Sequence, residues 1–292
     1  MDADAEPPTR PGFIGVFHAL QLFGATAISA FGWAMCEFLG WDAQPWVGLW
    51  FCGALLAYNV DRVKEDPVDA LNVPLRWRVT RRWRRWNTAV AALAGTVIVV
   101  VPVVRGDWLT LALVVVGSAM CLGYSLPRVG ARLKDVPVLK TLLPPSVVAA
   151  AIFALPALHG APRPDWLALL LAIGWAWTFL LANMLLCDLR DLAGDREAGT
   201  RSLPVMLGEK GTRRLIAGLA AIGTLLAGAA AWGSATATIW WVVAAGTPVA
   251  IGGLLIATRQ RCSEAFYEWW VEGMFFLPVL AQGAGWLIGV VG

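Results

Sequence analysis

Two short acidic segments contain the side chains most able to do chemistry. The first carries Asp61, Glu65 and Asp69, and the second carries Asp188, Asp191 and Asp195. Each trio follows a long apolar segment, so its carboxylates lie beside a low-dielectric region where an unneutralised negative charge is costly. A hard cation such as Mg²⁺ would neutralise them, and Mg²⁺ usually combines few protein carboxylates with phosphate oxygens of a substrate. The two segments together therefore predict a site that holds a diphosphate through metal ions.

Helical spacing groups the members of each trio. At about 100° per residue, the three acids of the second segment share a sector of about 60° if the helix continues past Gly194. In the first segment Pro67 disrupts the helix before it, so we expect Asp69 on a loop just past the helix end. The alternative for either segment is a solvated, charged loop that ends a helix and balances nearby arginines. Because two such trios occur, each directly after an apolar segment, we favour the metal site over the charged loop.

The composition predicts the elements that must position these acids. Of the 292 residues 58% are hydrophobic and only 15% are charged, which is typical of a membrane protein with many spans. A span needs about 20 apolar residues. Nine candidates meet or approach this length: 14–37, 44–60, 87–104, 107–126, 141–159, 166–187, 213–232, 236–257 and 267–290. The sequence therefore predicts an all-α polytopic membrane protein.

If the chain crosses the membrane nine times, its Lys and Arg residues are distributed unevenly between the two sides of the membrane. With the N-terminus in the cytoplasm, 21 of the 23 Lys and Arg residues fall in cytoplasmic segments, and only Arg105 and Arg163 remain outside. Because Lys and Arg accumulate in cytoplasmic loops, we expect this orientation in the inner (plasma) membrane, with both acidic segments facing the cytoplasm. The net charge of +3 averages over the two sides, and no nucleic-acid partner is expected.

Three segments resemble motifs of one known family. Cys187 to Gly208, CDLRDLAGDREAGTRSLPVMLG, resembles the second aspartate-rich motif of the UbiA superfamily of intramembrane prenyltransferases. DALNVPLR, from Asp69 to Arg76, is similar to the end of the first motif, with Asp61 where Asn or Asp is common and Glu65 where Asp is expected. Tyr124 to Pro145 is similar to the loop after the fourth span, where a Tyr and basic residues approach the diphosphate.

The resemblance implies one domain over 1–292, with nine helices around a central cavity and cytoplasmic loops at about 62–86, 127–140 and 188–212. It implies Mg²⁺ as cofactor, a prenyl diphosphate as substrate and a lipophilic acceptor. The residues it assigns to the metal are the six acids named above. Those it assigns to catalysis or to the substrate are Tyr124, Lys134, Arg128, Lys140 and Arg201.

The implied reaction is transfer of the prenyl group to an aromatic or lipophilic acceptor. A membrane terpene cyclase and a non-catalytic binder or transporter of a phosphorylated lipid are the two alternatives.

Several polar residues lie within or at the ends of the apolar spans. They are His18, Gln21, Tyr58, Asn59 and Asn183, and the last span adds a stripe of Glu264, Glu268 and Glu272. Hydrogen bonds between helices are the favoured explanation for the first five. Contact with an acceptor or with a reacting cation is the alternative, and Asn59 and Asn183 are included among the candidate binding residues on that basis. We expect Glu264 and Glu268 at the membrane interface, whereas Glu272 lies deep enough to be a candidate functional residue.

Overall fold

A computed structural model describes residues 13–63, 67–125, 136, 138–162, 165–232, 236–260 and 262–287. All regular secondary structure within them is helical, which confirms the all-α prediction. The helices are α1 (Phe13–Ala19), α2 (Leu22–Phe38), α3 (Gln44–Val63), α4 (Pro67–Asn72), α5 (Pro74–Arg82), α6 (Arg84–Arg105), α7 (Trp108–Ser125), α8 (Leu139–Leu158), α9 (Trp166–Glu197), α10 (Leu203–Ala231), α11 (Ala237–Ala257), α12 (Glu264–Phe266) and α13 (Leu277–Leu287). A π-helical turn (Tyr267–Val271) and a 3₁₀ turn (Glu272–Phe276) join α12 to α13.

Among the described residues, five helical segments are long and apolar enough to cross a membrane. They are Pro74–Arg105, Leu139–Leu158, Trp166–Glu197, Leu203–Ala231 and Ala237–Ala257, and α2 and α7 are shorter apolar helices. Each of the nine spans expected from the sequence overlaps helical structure. The count of nine crossings and the cytoplasmic N-terminus stay predictions.

The outer faces of the helices are apolar. Leu93, Leu170, Leu225 and Val249 are each between 63% and 74% exposed. Large apolar side chains in such number on the outside fit contact with lipid chains rather than with water. The interior is packed with aliphatic and aromatic side chains, and it includes a stack of rings in which Trp175 lies 5.0 Å from Phe179 and Phe31 lies 5.7 Å from Trp175 between ring centroids.

Helix α9 is the central helix and carries the second acidic trio beyond the apolar part of the bundle. Its 32 residues have a length of about 48 Å, well above the ~30 Å of a bilayer core. The helix continues through Gly194 to Glu197, so it does not break before Asp195. Gly194 is needed because α4 crosses here: a β-carbon at this position would overlap the side chain of Asn72.

The described residues of the first acidic segment belong to two helices. Helix α3 carries Asp61 in its last turns, and α4 begins at Pro67 and carries Asp69. The expectation that Asp69 lies on a loop is therefore wrong. Proline is well tolerated in the first turn of a helix because its missing N–H has no partner to lose there. Pro67 thus starts the helix that carries Asp69.

The first and last apolar segments are broken, and the two breaks face each other. The first break lies at Gln21, whose φ of 61° is left-handed. Side chains of α3 satisfy the carbonyl groups freed there: Arg62 Nη1 donates to His18 O at 3.1 Å, and Asn59 Nδ2 donates to Leu20 O at 3.2 Å. The last segment is irregular over its π and 3₁₀ turns, and the ring of Trp269 lies 4.3 Å from that of His18. Such backbone is tolerated at membrane depth only where protein groups or a polar cavity satisfy it.

Candidate functional site

Two carboxylates of the second trio are fully enclosed. Asp188 and Asp195 are each 1% exposed, on the same side of α9. A solvated loop would leave these groups in water, so the burial argues against the alternative explanation of this segment. Buried carboxylates require compensation by positive charge or by hydrogen-bond donors.

Lys140 supplies that compensation from the start of α8. Its ammonium nitrogen is 2.5 Å from Asp195 Oδ2 and 3.9 Å from Asp188 Oδ1. The hydroxyl of the next residue, Thr141, donates to Asp188 Oδ2 at 2.7 Å. Tyr124, from the end of α7, donates its hydroxyl proton to the carbonyl of Lys140 at 3.2 Å and so holds the start of α8 in place. One cation therefore lies between two acids of the trio.

Asp191 has a different partner. The guanidinium of Arg190 donates to its two carboxylate oxygens, with Nε at 2.7 Å and Nη2 at 3.0 Å. The same guanidinium lies 5.2 Å from the centre of the Tyr267 ring, within cation–π distance. Asp191 is thus neutralised by its neighbour on α9, and Arg190 connects this end of α9 to the last apolar segment.

The two acidic segments meet at this end of the bundle. Asp61 and Asp69 from the first and Asp188 and Asp195 from the second all lie close enough to Tyr124 to act electrostatically on its hydroxyl. A direct contact joins the segments as well, because Asn72 Nδ2 donates to Asp195 Oδ1 at 3.3 Å. The structure therefore brings together acids that are more than a hundred positions apart in the chain.

A small recess of about 10 Å³ extends the site towards α5. It is lined by Arg62, Asp69, Arg76, Trp77 and Thr80. The indole nitrogen of Trp77 is buried and has no hydrogen-bond partner among the described residues. The recess is large enough for about one water molecule, and it brings the two guanidinium groups next to Asp69, one of the candidate metal ligands.

The remaining candidates are placed differently. The amide of Asn59 is used on backbone carbonyls, and Asn183 Nδ2 donates to Val271 O at 2.5 Å, so both stabilise the two breaks, which agrees with the favoured explanation. Arg201 is exposed between α9 and α10. Glu65, Arg128 and Lys134 lie outside the described residues, and their roles stay predictions.

Three residues of the site were missed by reasoning from the sequence. Asn72 and Thr141 each bind a buried carboxylate, and Arg190 pairs with Asp191. Asn72 stands within the quoted first motif, which is a signal that could have identified it. Arg190 stands next to Asp191 in the sequence, which is a second such signal. The partner of Thr141 depends on how α8 packs against α9, which no local pattern reveals.

The donor set fits a hard divalent cation that is completed by its substrate. Within the described part of the chain, no three His, Cys, Asp or Glu side chains are close enough to form a metal site alone. Asp188 and Asp195 nevertheless converge on a single positive charge, that of Lys140. Mg²⁺ is commonly held by one or two carboxylates together with phosphate oxygens and water, so two acids suffice.

The fold and the site define a helical membrane-type protein with enclosed carboxylates at one end. The sequence matches the model of the UbiA prenyltransferase family over residues 22–277, so the chain belongs to this family. The match confirms the resemblance of the motifs. Among curated proteins, none matches the sequence.

Several solved structures are similar to this one in fold. A UbiA homolog from Archaeoglobus fulgidus bound to GPP and Mg²⁺ is 14% identical, with a TM-score of 0.63 over 94% of this chain and 99% of that one. The apo structure of a UbiA homolog from Aeropyrum pernix K1 is 15% identical, with a TM-score of 0.62 over 93% and 99%. A structure described for digeranylgeranylglyceryl phosphate synthase is 11% identical, with a TM-score of 0.51 over 95% and 97%. At these identities the likeness shows a shared fold.

Proposed function

We propose that this protein is a Mg²⁺-dependent intramembrane prenyltransferase, which ionises a prenyl diphosphate and transfers the prenyl group to an aromatic or lipophilic acceptor. The observation that carries the proposal is the meeting of the two acidic segments around Tyr124 and Lys140, with Asp188 and Asp195 buried. Family membership supports it, as do the A. fulgidus structures bound to GPP or DMAPP with Mg²⁺. We expect the active site to face the cytoplasm in the inner membrane.

The residues that would hold Mg²⁺ are Asp61, Glu65, Asp69, Asp188, Asp191 and Asp195. Bound there, the metal would neutralise the diphosphate and so make it a better leaving group. The protein would hold the diphosphate oxygens with its own cations, chiefly Lys140, assisted by Arg128, Lys134 and Arg201. Lys140 is the most direct of these, because its ammonium already lies between two of the acids.

Breaking an allylic C–O bond leaves an allylic carbocation that water would trap. Exclusion of water is therefore the second task of the site. The apolar, aromatic interior next to the acidic end offers such surroundings, since ring faces attract cations and carry no nucleophile. The stacked rings of Phe31, Trp175 and Phe179 are part of this interior.

The test is a product survey with purified full-length protein in detergent. Prenyl diphosphates of several chain lengths are incubated with Mg²⁺ or with EDTA, with and without lipophilic phenols and alcohols, and pyrophosphate and organic products are measured. The proposal expects Mg²⁺-dependent pyrophosphate release and a prenylated acceptor. A cyclic hydrocarbon or alcohol formed without acceptor would indicate the cyclase instead, and binding without pyrophosphate release would indicate a carrier.

A further inference from the structure

The first turn of helix α5 depends on an acceptor from outside the helix. The N-cap residue is Val73, whose apolar side chain cannot accept a hydrogen bond, and Pro74 at the first helical position has no N–H group to donate. The amide of Val73 already donates to Asp69 O at 2.9 Å. The amides of Leu75 and Arg76 are therefore the two donors at this helix end that need a partner.

Glu264 is that partner, although it lies 188 positions further along the chain than Arg76. Its Oε1 accepts a hydrogen bond from Leu75 N at 2.8 Å, and its Oε2 accepts one from Arg76 N at 2.7 Å. Hydrogen bonds to an ionised group are strong, and a negative charge at the N-terminus of a helix is also favoured by the helix dipole. The carboxylate thus ties the start of the last apolar segment to α5.

The side chain of Glu264 is itself held in place. Glu264 is the first residue of α12, and Ser263 caps that helix because its hydroxyl oxygen accepts from Phe266 N at 3.2 Å. The next residue, Tyr267, is the one whose ring lies 5.2 Å from the guanidinium of Arg190. We call the segment from Ser263 to Tyr267 the strap. It contacts the helix that follows the first acidic segment at one end and a neighbour of the second acidic trio at the other.

The start of α5 in turn fixes the position of α4, which carries Asp69. Only Val73 separates the two helices, and it is 1% exposed. On its other side α4 contacts α9, where Asn72 Nδ2 donates to Asp195 Oδ1 and where Gly194 leaves room for the Asn72 side chain. Helix α4 is therefore held between two attachments, one to the second acidic trio and one, through α5, to the strap.

We propose that Glu264 is a positioning residue, which caps α5 from the strap and so holds Asp69 and Asn72 against the second acidic trio. This inference rests on the proposed function. Glu264 acts through the backbone of α5 and needs no contact with the metal or the diphosphate. Because both acidic segments would share the metal ions, loosening one segment weakens binding of the metal and the diphosphate together. The bond-breaking step in those molecules that do bind is less affected.

The first test measures the kinetics of Mg²⁺-dependent pyrophosphate release from geranyl diphosphate by the full-length protein in detergent. Glu264→Ala removes both hydrogen bonds, and Glu264→Gln keeps one neutral acceptor. We expect KM to rise by about 10-fold or more in Glu264→Ala, because a hydrogen bond to a charged group contributes at least this factor. The rise should be smaller in Glu264→Gln, and kcat should change much less than KM in both variants. The matched control is Glu209→Ala, which removes a carboxylate that is 59% exposed and paired with Arg213. A wild-type KM in Glu264→Ala would overturn the proposal.

A second variant separates positioning from the stability of α5 alone. Leu75→Asp places a carboxylate in the first turn of α5 at a position that is 50% exposed, where it stabilises the helix end without joining it to the strap. Combined with Glu264→Ala, it should recover part of the lost Tm and leave KM raised. Recovery of the wild-type KM by this double variant would show that any cap on α5 suffices, which contradicts a positioning role.

Hydrogen exchange of backbone amides tests the attachment itself and needs no turnover. In Glu264→Ala the amides of Leu75 and Arg76 lose their acceptor, so residues 67–77 should exchange about 10-fold faster than in the wild-type protein. Helix α11, which is remote from the strap in the chain, should exchange at the wild-type rate. Unchanged exchange over 67–77 would overturn the positioning role even where pyrophosphate release by the wild-type protein confirms the proposed function.

Discussion

The two ends of helix α8 both carry contacts to carboxylates, but the number of donors for each carboxylate and its burial differ: Asp188 and Asp195 at one end are enclosed, whereas Asp107 at the other is half-buried. At the start of the helix, one ammonium group of Lys140 serves two enclosed carboxylates. At its other end, His159 Nε2 lies 3.0 Å from Asp107 Oδ1, and His159 Nδ1 lies 2.7 Å from the carbonyl of Leu155. Thr110, which is 1% exposed, donates its hydroxyl proton to Asp107 Oδ2 at 2.6 Å.

This difference distinguishes the acidic end, which is the candidate binding site, from a purely structural contact. We call the structural contact, formed by Asp107, Thr110 and His159, the clamp. Asp107 has its own set of donors, so the cluster of Asp107, Thr110 and His159 is complete and ties the α6–α7 junction to the end of α8. At the acidic end, among the residues that the structure describes, the one ammonium group of Lys140 serves both of the enclosed carboxylates, Asp188 and Asp195. Surplus buried charge is costly, and it is kept where it binds something. Four predictions test this contrast.

The largest effect is expected for Asp195→Asn, which removes a buried charge and keeps the shape. Removing one group that stabilises developing charge costs about 10²–10³-fold in rate, and we expect Mg²⁺-dependent pyrophosphate release to fall by at least this much without loss of folding. Glu197→Gln, two residues further on and exposed, is the matched control. Normal turnover in Asp195→Asn would remove this residue from the site.

The second largest effect is expected for Lys140→Met. Without the ammonium group, Asp188 and Asp195 are left unpaired, and breaking a buried pair in this way costs about 3–5 kcal/mol. Thermal unfolding in detergent with EDTA should show a lower Tm than wild type, and added Mg²⁺ should restore more of the Tm in the variant than in the wild type. A variant whose Tm does not respond to Mg²⁺ would argue against a metal between these acids.

At the other end of α8, Asp107→Ala should affect stability and leave catalysis intact. It leaves the Thr110 hydroxyl and His159 without their acceptor, at a cost of about 1–3 kcal/mol for an unsatisfied buried group. We expect a lower Tm and unchanged pyrophosphate release, with Arg105→Ala, an exposed neighbour, as control. A large loss of activity would show that the clamp also serves the reaction.

The smallest effect is a pH dependence of that clamp. Burial alone would raise the pKa of Asp107, but hydrogen bonds from Thr110 and His159 outweigh it and lower the pKa to about 2. An unfolded chain has an Asp pKa of about 3.9, so this carboxylate contributes stability fully above about pH 4 and loses it as the pH falls through about 2. The Tm difference between wild type and Asp107→Ala should therefore shrink as the pH falls from about 4 to about 2. A difference that stays constant over this range would contradict the assignment.

Most of the helical framework could be predicted because apolar length and charge are properties of local sequence. The irregular places could not. The break at Gln21 depends on Arg62 and Asn59 from another helix, and the continuation of α9 through Gly194 depends on the closeness of α4. These are tertiary contacts, which override local preferences.

The sequence predicted which acidic residues belong to the candidate site, but it did not predict which side chains pair with them. The second acidic trio shares one side of α9, as its spacing predicted. The pairing of Lys140 with Asp195, and the contacts of Asn72 and Thr141 with the acids, join segments far apart in the chain. Spacing within one segment carries no information about such pairs.

The central claim is that both acidic segments belong to one metal–diphosphate site. Electron paramagnetic resonance of Mn²⁺, used in place of Mg²⁺, can measure how a prenyl diphosphate increases metal binding in the wild-type protein, in Asp61→Asn and in Asp195→Asn. The account predicts that either substitution alone abolishes the diphosphate-dependent binding. Unchanged binding in one of the two variants would show that the segments do not share a site, and would contradict the account.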